Sequence, residues 1–135
     1  PLVIPSLNRD GDILSDLVLP LFGSIAGAES LLVAFADDDP AEVTAVMSEA
    51  AHGTAPALQG KNVANPLAMI LAGAAVLGYA GEGAELAARA IREASLESIA
   101  EGIRTADLAG HAGTSEFTDE VIRRTKSKLE VWSTL

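Results

Sequence analysis

The stretch from Pro66 to Tyr79 constrains the fold more than any other part of this chain. Its residues are apolar nearly all round a helical projection, and many of them are Ala or Gly. A helix of this kind is stable in water only when neighbouring elements cover most of its surface. It is too short and too rich in small residues to span a membrane. We therefore expect a buried helix here, ended by Gly81 and Gly83, with Tyr79 in the core.

Shorter patterns on either side of this helix alternate between strands and helices. Apolar runs predict strands at Leu2–Leu7, Ser30–Ala36 and Val43–Met47, with a hairpin tip at Asp37-Asp38-Asp39-Pro40. For Val43–Met47 a helix is the alternative, because Ala and Glu suit a helix equally. Further helices are predicted from Asp12 to Ser24 (bent or ended near Pro20), from Glu85 to Glu101, and from Ser115 to Trp132 with Thr114 or Ser115 as cap. This order indicates an α/β fold of three to four strands and about four helices.

The last two helices are amphipathic, so each is expected to bury one stripe. The stripes are Leu86, Ala87, Ala90, Ile91 and Ala94 on the first helix, and Val121, Ile122, Thr125, Leu129 and Trp132 on the second. Surface charge pairs are expected between Glu85 and Arg89 and between Arg89 and Glu93. His111 stands in a Gly- and Ala-rich loop and is predicted to lie at the surface.

Length and charge limit the classes of function. The 135 residues amount to one domain, and the net charge is −10. That charge argues against nucleic acid and against an anionic membrane surface as partners. The absence of Cys excludes disulfides and thiolate metal sites and is compatible with a cytoplasmic protein. The chain begins at Pro1 without a signal-peptide pattern, so we expect a piece of a longer protein.

Asp12 and Asp16 lie in the run Asn8-Arg9-Asp10-Gly11-Asp12-Ile13-Leu14-Ser15-Asp16. On a helix, two carboxylates four residues apart share one face, with Cβ atoms roughly 5–6 Å apart. A hard divalent cation with oxygen ligands, Mg²⁺ or Mn²⁺, suits such a pair. The alternative is an acidic first helical turn favoured by the helix dipole.

A second run, from His52 to Pro66, mixes Gly, Pro and small residues around one imidazole. Asn65 is suited to cap the helix that follows, and Pro66 is suited to its first turn. Such a loop exposes backbone N–H groups and can wrap an anionic or planar ligand. On composition alone, a plain connecting loop is the alternative.

Together the two runs resemble motifs of the isocitrate/isopropylmalate dehydrogenase family, the β-decarboxylating hydroxyacid dehydrogenases. The first is similar to the family's metal-site signature, Asn followed by Gly-Asp-Ile-Leu-Ser-Asp. The second is similar to its coenzyme loop: Glu49, then His52-Gly53-Thr54-Ala55-Pro56, then Gly60-Lys61, then Ala64-Asn65-Pro66. Weaker matches are Thr105–Gly110 and Thr114–Asp119.

The resemblance implies the fold of the family's C-terminal segment, which is not a Rossmann domain. Residues 1–135 would form one part of a dehydrogenase domain, with a metal-site segment at 8–24 and a coenzyme loop at 49–66. Asp12 and Asp16 would be metal ligands. The implied coenzyme-binding residues are Glu49, His52, Gly53, Thr54, Ala55, Pro56, Leu58, Asn65 and Asp107. In the family the catalytic Tyr and Lys and the substrate arginines lie upstream of the metal signature, so no catalytic residue is assigned here.

The implied reaction is oxidation and decarboxylation of a 2-hydroxy dicarboxylic acid of the isocitrate, 3-isopropylmalate or tartrate/malate type. Relatives pair through a helix matching the one at Asp12, so a homodimer is expected. NAD is expected rather than NADP, because relatives that use NADP have Lys-Tyr where this chain has Ala57-Leu58. Those relatives also have Tyr and Arg where this chain has Ala106 and Gly110.

Several positions depart from the family's pattern. Arg9 and Asp10 replace residues that are usually apolar, aromatic or amide, and residues 28–47 match poorly. Ala57 replaces the Asp that often binds the adenosine ribose in relatives that use NAD. With no substrate arginines or catalytic Tyr and Lys, the chain alone is expected to be inactive. The alternative is a non-catalytic piece or subunit that binds dinucleotide or pairs with a fuller partner.

Overall fold

A computed structural model describes residues 3–134, apart from the side chains of Phe22 and Ile25. Within that range the chain forms four α-helices and one two-stranded sheet. The elements, in chain order, are α1 (Asn8–Val18), β1 (Glu29–Phe35), β2 (Val43–Ala50), α2 (Leu67–Leu77), α3 (Ala84–Ala100) and α4 (Thr114–Trp132). Short 3₁₀ turns lie at Leu19–Phe22, Ile25–Gly27, Pro56–Leu58 and Ala106–Leu108. This is the mixed α/β class that the sequence predicts.

The two strands form the expected antiparallel hairpin. Glu29 lies opposite Ala50, and Phe35 lies opposite Val43 after a register shift next to Ala34. At the tip the Asp39 side chain accepts a hydrogen bond of 2.9 Å from the Ala41 N–H. A hydrogen bond of this kind, from the backbone N–H two residues on to the Asp side chain, is the reason that Asp is common in turns. β2 continues to Ala50, three residues beyond the predicted end at Met47.

Helix α2 is buried on most sides, as its apolar sequence requires. Its six buried residues are Leu67, Ala68, Leu71, Ala72, Ala74 and Ala75. It packs against α3 and against both strands. Met69 and Val76 remain exposed, so one narrow stripe of the helix is left uncovered.

The core lies where α2, α3 and α4 meet. Leu67 and Leu71 of α2 pack with Ala94 of α3 and with Phe117 and Val121 of α4. Helix α3 presents small residues to this core. Its Ser95 and Ser98 are fully buried, and their hydroxyls donate to carbonyls of their own helix at 2.8 Å. Their hydrogen-bonding needs are thus met locally, and neighbouring helices can approach closely.

The predicted strand at Leu2–Leu7 is wrong over its described part, and Leu2 lies outside the described residues. Residues 3–7 are irregular, and Val3 and Leu7 are 78% and 79% exposed. A strand needs a neighbour for its backbone hydrogen bonds. In the described range, the sheet holds only β1 and β2. An apolar run therefore did not suffice to make a strand here.

Helix α1 begins at Asn8, four residues before the predicted start. It ends at Val18, and the turn Leu19–Phe22 carries Pro20 in its first residues. The predicted break near Pro20 is confirmed. The ring of Pro20 cannot supply the N–H that a continuing α-helix needs.

Three expectations of burial are wrong. Tyr79, Leu86 and Ile122 are 50%, 41% and 46% exposed. Tyr79 lies beyond the end of α2, and the other two lie at the margins of their helices' buried stripes. Trp132 is partly buried, as expected of a packing residue, with the Arg89 and Lys128 cations 5.1 and 5.8 Å from its ring centroid.

Charged residues join α3 to α4. Arg124 contacts Glu101 and Glu120, each at 2.6 Å, and Lys128 contacts Glu97 at 2.7 Å. Within α3, Arg89 pairs with Glu93 at 2.8 Å as predicted. The expected Glu85–Arg89 pair does not occur among the ion pairs of the described residues. Pairs at the surface individually contribute little, so this network matters as a group.

The network predicts a loss of stability in acid. Hydrogen bonds from Arg123, and then from Arg124, lower the pKa of Glu120 to about 2, although partial burial raises it. A carboxylate whose pKa is lower when folded stabilises the fold above its unfolded pKa. That contribution is lost as the pH falls from 4.5 towards 2. We expect the free energy of unfolding of the chain, followed by Trp132 fluorescence in urea, to fall across this window.

The variant Glu120→Gln should be less stable than the wild type at pH 7 and should show a shallower fall below pH 4.5. Equal slopes in the two proteins would contradict this account of Glu120.

Candidate functional site

The loop that runs from His52 to Asn65 and precedes α2 borders a cleft of about 1150 Å³. Eight of the nine predicted coenzyme-binding residues line it: His52, Gly53, Thr54, Ala55, Pro56, Leu58, Asn65 and Asp107. The ninth, Glu49, lies on β2 opposite Ser30 and is not part of the lining. Residues from four separate parts of the chain thus meet at one cavity, since Ala26 and Thr114 also border it.

The loop follows a tight path held by short-range hydrogen bonds. The N–H of Leu58 donates to the Ala55 carbonyl at 2.9 Å, and that of Lys61 donates to the Leu58 carbonyl at 3.1 Å. Ala55 itself is in the left-handed region at a φ of 41°. Such a conformation is uncommon for a residue with a Cβ and is typical of strained loops at binding sites.

His52 lines the cleft, and one of its ring nitrogens has no hydrogen-bond partner among the described residues. Its Nδ1 lies 2.9 Å from the Gly53 carbonyl oxygen, which only accepts, so Nδ1 carries the proton. Its Nε2 is buried and has no hydrogen-bond partner among the described residues. A buried polar atom without a partner costs free energy. A ligand that donates a hydrogen bond to Nε2 would remove that cost.

Asp107 ties three segments together beside the cleft. One carboxylate oxygen accepts hydrogen bonds from the Ser24 hydroxyl at 2.6 Å and from the Asn65 amide at 2.9 Å. The other accepts from the Thr105 hydroxyl at 2.6 Å. Partial burial raises the pKa of Asp107, but these hydrogen bonds outweigh it and hold the pKa below its usual value. The side chain is therefore ionised at neutral pH.

Asn65 links Asp107 to the start of α2. While its amide donates to Asp107, its Oδ1 accepts from the Leu67 N–H at 3.0 Å. This satisfies one of the free N–H groups of the first helical turn. The predicted cap positions are wrong by one residue, since α2 begins at Leu67 with Pro66 as its N-cap, but the Asn65 side chain still accepts a hydrogen bond from the helix start.

The cap of α4 differs from the prediction. Neither Thr114 nor Ser115 caps this helix, because the N-cap position is Gly113. The Ser115 N–H instead donates to Oδ1 of Asn62 at 2.9 Å, so the cap comes from the loop between His52 and Pro66. The hydroxyl of Thr114 donates to the Ala64 carbonyl at 2.5 Å, which adds a second tie between loop and helix.

Asp12 and Asp16 both lie on α1, four residues apart and exposed, so they share a helical face as predicted. Neither lines the cleft. The described residues contain no group of three or more acidic, His or Cys side chains placed to hold a metal ion. A metal bound by this pair would need its other ligands from elsewhere.

Four residues of the site were not identified from the sequence: Ser24, Asn62, Thr105 and Thr114. Asn62 and Thr114 line the cleft, while Ser24 and Thr105 donate hydrogen bonds to Asp107. The contacts of Ser24, Asn62 and Thr114 join residues distant in the chain, which a local pattern does not reveal. Asn62 is partly an exception. An Asn just after Gly60-Lys61 is a candidate for the left-handed backbone conformation, and Asn62 adopts it with a φ of 55°.

Comparison with known proteins identifies the family. Residues 2–121 match the model of the isocitrate/isopropylmalate dehydrogenase family. The chain belongs to this family. It is 41% identical over 125 residues to an isocitrate/homoisocitrate dehydrogenase of Thermus thermophilus, covering 93% of this chain and 34% of that protein. It is 39% identical over 124 residues to the decarboxylating D-malate dehydrogenase of Escherichia coli, and this match covers 90% of this chain and 33% of that protein.

A solved structure agrees with this assignment to the isocitrate/isopropylmalate dehydrogenase family. The apo form of a β-decarboxylating dehydrogenase from Thermococcus kodakarensis superposes with a TM-score of 0.68 at 32% identity. The match covers 91% of this chain and 33% of that one. The chain thus spans about a third of the length of these relatives. Among the described residues, no helix is both long and apolar enough to cross a membrane.

The hydrogen bonds of Asp107 predict that Asp107→Asn destabilises the chain by about 1 kcal/mol. An amide accepts the three hydrogen bonds less well than a charged carboxylate does. Urea unfolding followed by Trp132 fluorescence measures the difference. The matched control is Asp38→Asn at the exposed hairpin tip, which should change the stability by less than about 0.5 kcal/mol. Equal effects of the two substitutions would contradict the role of Asp107.

Proposed function

We propose that this chain is the C-terminal part of a divalent-metal-dependent, NAD(P)-dependent dehydrogenase that oxidatively decarboxylates a 2-hydroxy dicarboxylic acid. The observation that carries the proposal is the meeting of eight motif residues at one cleft. The similarity to dehydrogenases named for isocitrate, homoisocitrate and D-malate supports this substrate class. The similarity does not identify a single acid as the substrate, because the names of these relatives state different acids.

The cleft fits the adenosine half of a nicotinamide coenzyme. Its volume of about 1150 Å³ is ample, and Leu58, which is 39% exposed, offers apolar surface to an adenine ring. His52 Nε2 is a buried acceptor that a hydroxyl or amine of the ligand would satisfy. When bound, the coenzyme would accept the hydride from the hydroxyl carbon of the substrate. The loop residues would hold and orient the adenosine part, away from the reacting carbon.

The paired carboxylates of Asp12 and Asp16 fit Mg²⁺ or Mn²⁺, which prefer oxygen ligands. Such an ion would supply Lewis-acid stabilisation of the negative charge that develops on the substrate oxygen. In this chain the role of the two aspartates would be to supply anionic oxygens from one rigid helix face. Further ligands, the substrate-binding cations and the proton-transfer groups would come from other parts of the enzyme.

Assembly and location follow the same proposal. Helix α1 leaves Ile13 and Leu17 exposed at 55% and 66%, and Leu21 beyond it at 82%. Exposed apolar side chains in such a row are typical of a protein interface. We propose that this helix pairs with its copy in a cytoplasmic homodimer. Sedimentation of the complete enzyme would test the dimer, and a monomer would refute it.

The alternative, a non-catalytic piece or subunit, is favoured by one observation. The residues that line the cleft include no Tyr or Lys. We expect the 135-residue chain alone to reduce no NAD and to self-associate. Activity is therefore to be tested in the complete enzyme, as NAD reduction with Mg²⁺ and each candidate hydroxy acid.

The coenzyme preference is expected to be NAD over NADP. The 2′-phosphate of NADP needs cationic or hydroxyl partners, and Ala57 and Leu58 offer neither. At Gly110, where relatives that use NADP place Arg, an added Cβ would overlap the carbonyl oxygen of Arg104. No larger side chain therefore fits at this position without a change in the backbone.

We predict that kcat/KM of the complete enzyme is at least about tenfold higher with NAD than with NADP, a difference of about 1.4 kcal/mol. NAD binding itself should be weak, because Ala57 leaves the adenosine ribose without an acidic acceptor. Ala57→Asp should accordingly lower the KM for NAD. A preference for NADP would show that a cation from another part of the enzyme reaches the phosphate.

The metal assignment predicts that Asp12→Asn or Asp16→Asn in the complete enzyme lowers turnover and Mg²⁺ affinity by orders of magnitude. Each substitution removes an anionic ligand from a site with few of them. The matched control is Asp10→Asn on the same helix, where the carboxylate lies 3.8 Å from Arg9. It should keep its turnover and its Mg²⁺ dependence. Unchanged Mg²⁺ dependence in both the Asp12 and the Asp16 variants would refute the site.

A further inference from the structure

Asn62 makes three hydrogen bonds to the first residues of α4. Its carbonyl accepts from the Thr114 N–H at 3.0 Å, its Oδ1 accepts from the Ser115 N–H at 2.9 Å, and its Nδ2 donates to the Ser115 hydroxyl at 3.0 Å. We call this set the Asn62 cap. It satisfies two free N–H groups at a helix end, which is a common stabilising arrangement. The unusual feature is that the capping residue belongs to a loop and lies 53 residues before Ser115 in the chain.

Two further observations show that the contact is closely fitted. Asn62 has a left-handed φ of 55°, which Asn tolerates better than most residues do. Opposite it, Gly113 has an ordinary extended backbone with a φ of −76°. A Cβ at Gly113 would nevertheless lie 2.7 Å from Nδ2 and 3.0 Å from the carbonyl oxygen of Asn62. Gly at position 113 is therefore favoured by the contact with Asn62 and not by its backbone conformation, since a larger residue would displace the Asn62 side chain.

The Asn62 cap lies where the loop would otherwise be free to move. The hydrogen bonds of residues 55–61 run within the loop, from Ala55 to Leu58 and from Leu58 to Lys61. Ties to other elements come at its C-terminal end, through Asn62, Ala64 and Asn65. A loop that is ordered before its ligand arrives loses less conformational entropy on binding.

We infer that Asn62 is a positioning residue for the coenzyme: by capping α4, it holds the loop from His52 to Gly60 in the shape that borders the cleft. The inference rests on the proposed function for the identity of the ligand. Asn62 acts here through the loop backbone and is given no contact with the reacting atoms.

Asn62→Gly in the complete enzyme tests this directly. Glycine keeps the left-handed conformation and the backbone carbonyl and removes the side-chain hydrogen bonds, while it also makes the backbone at position 62 more flexible. We expect the KM for NAD to rise about fivefold, which corresponds to about 1 kcal/mol of binding free energy. The kcat at saturating NAD should change by less than about twofold, because the chemical groups are untouched. The control Asp39→Ala removes a comparable side-chain-to-backbone bond at the hairpin tip and should leave both constants unchanged.

Gly113→Ala disturbs the same contact from the other side and should raise the KM for NAD similarly. Its control is Gly73→Ala on α2, where an added Cβ meets no atom within 4 Å. In the double variant the effects should be less than additive, because Asn62→Gly removes the Nδ2 atom that the new methyl group would strike. Fully additive effects, or an unchanged KM in Asn62→Gly, would overturn the inference.

Hydrogen exchange of the coenzyme-free enzyme separates this inference from the proposed function. Amides of residues 53–61 should exchange about fivefold faster in Asn62→Gly than in the wild type. If the wild type binds neither NAD nor NADP, the proposed function fails, and exchange still decides whether Asn62 orders the loop. Unchanged exchange rates would refute the positioning role even in an enzyme that uses NAD.

Discussion

The burial of α2 is the constraint on which the rest of the structure depends. A helix without a polar side has to be covered, and α3, α4 and the hairpin each supply part of that cover. Its N-terminal residue Leu67 is 3% exposed, so the chain enters the core at a fixed point. The loop that precedes Leu67 is therefore anchored at one end before any ligand binds. The site is built outward from that anchor.

Two polar contacts hold the loop at points before the start of α2. Asp107 holds Asn65 at the helix start, and Asn62 joins the loop to α4 a few residues earlier. Both lie at an accessible surface, where single hydrogen bonds contribute modestly. Their importance lies in what they connect. The hydrophobic core sets the positions of α2 and α4, and these side chains transfer that order to a loop with almost no buried residues of its own.

The sequence was most informative where the cause of a structure is local. The hairpin tip at Asp39, the helix break at Pro20 and the burial of α2 each follow from a few neighbouring residues, and each is found. The motif residues of the cleft were identified by resemblance, and all but Glu49 line it. That result concerns their position, while their part in binding a coenzyme stays a prediction.

The errors arise where a structure depends on distant partners. An apolar run at residues 3–7 resembles a strand, yet strand formation requires a neighbour that no local pattern reveals. The cap of α4 was assigned to Thr114 or Ser115, because a hydroxyl at a helix start is the usual local signal. The residue that caps it lies more than 50 positions away. The same limit hid Ser24, whose hydroxyl reaches Asp107 across 83 residues.

The tight packing at Gly110 has a consequence for how this protein can change. Because the Arg104 carbonyl occupies the space of a side chain there, a single codon change cannot install a working cation at that position. The backbone from Arg104 to Ala112, which is held by its own hydrogen bonds, would have to be rebuilt first. Ala57 and Leu58 carry no such restriction, because they lie in the open loop. Under the proposed function, a change of preference towards NADP would therefore meet a steric barrier at Gly110 and none at Ala57 and Leu58.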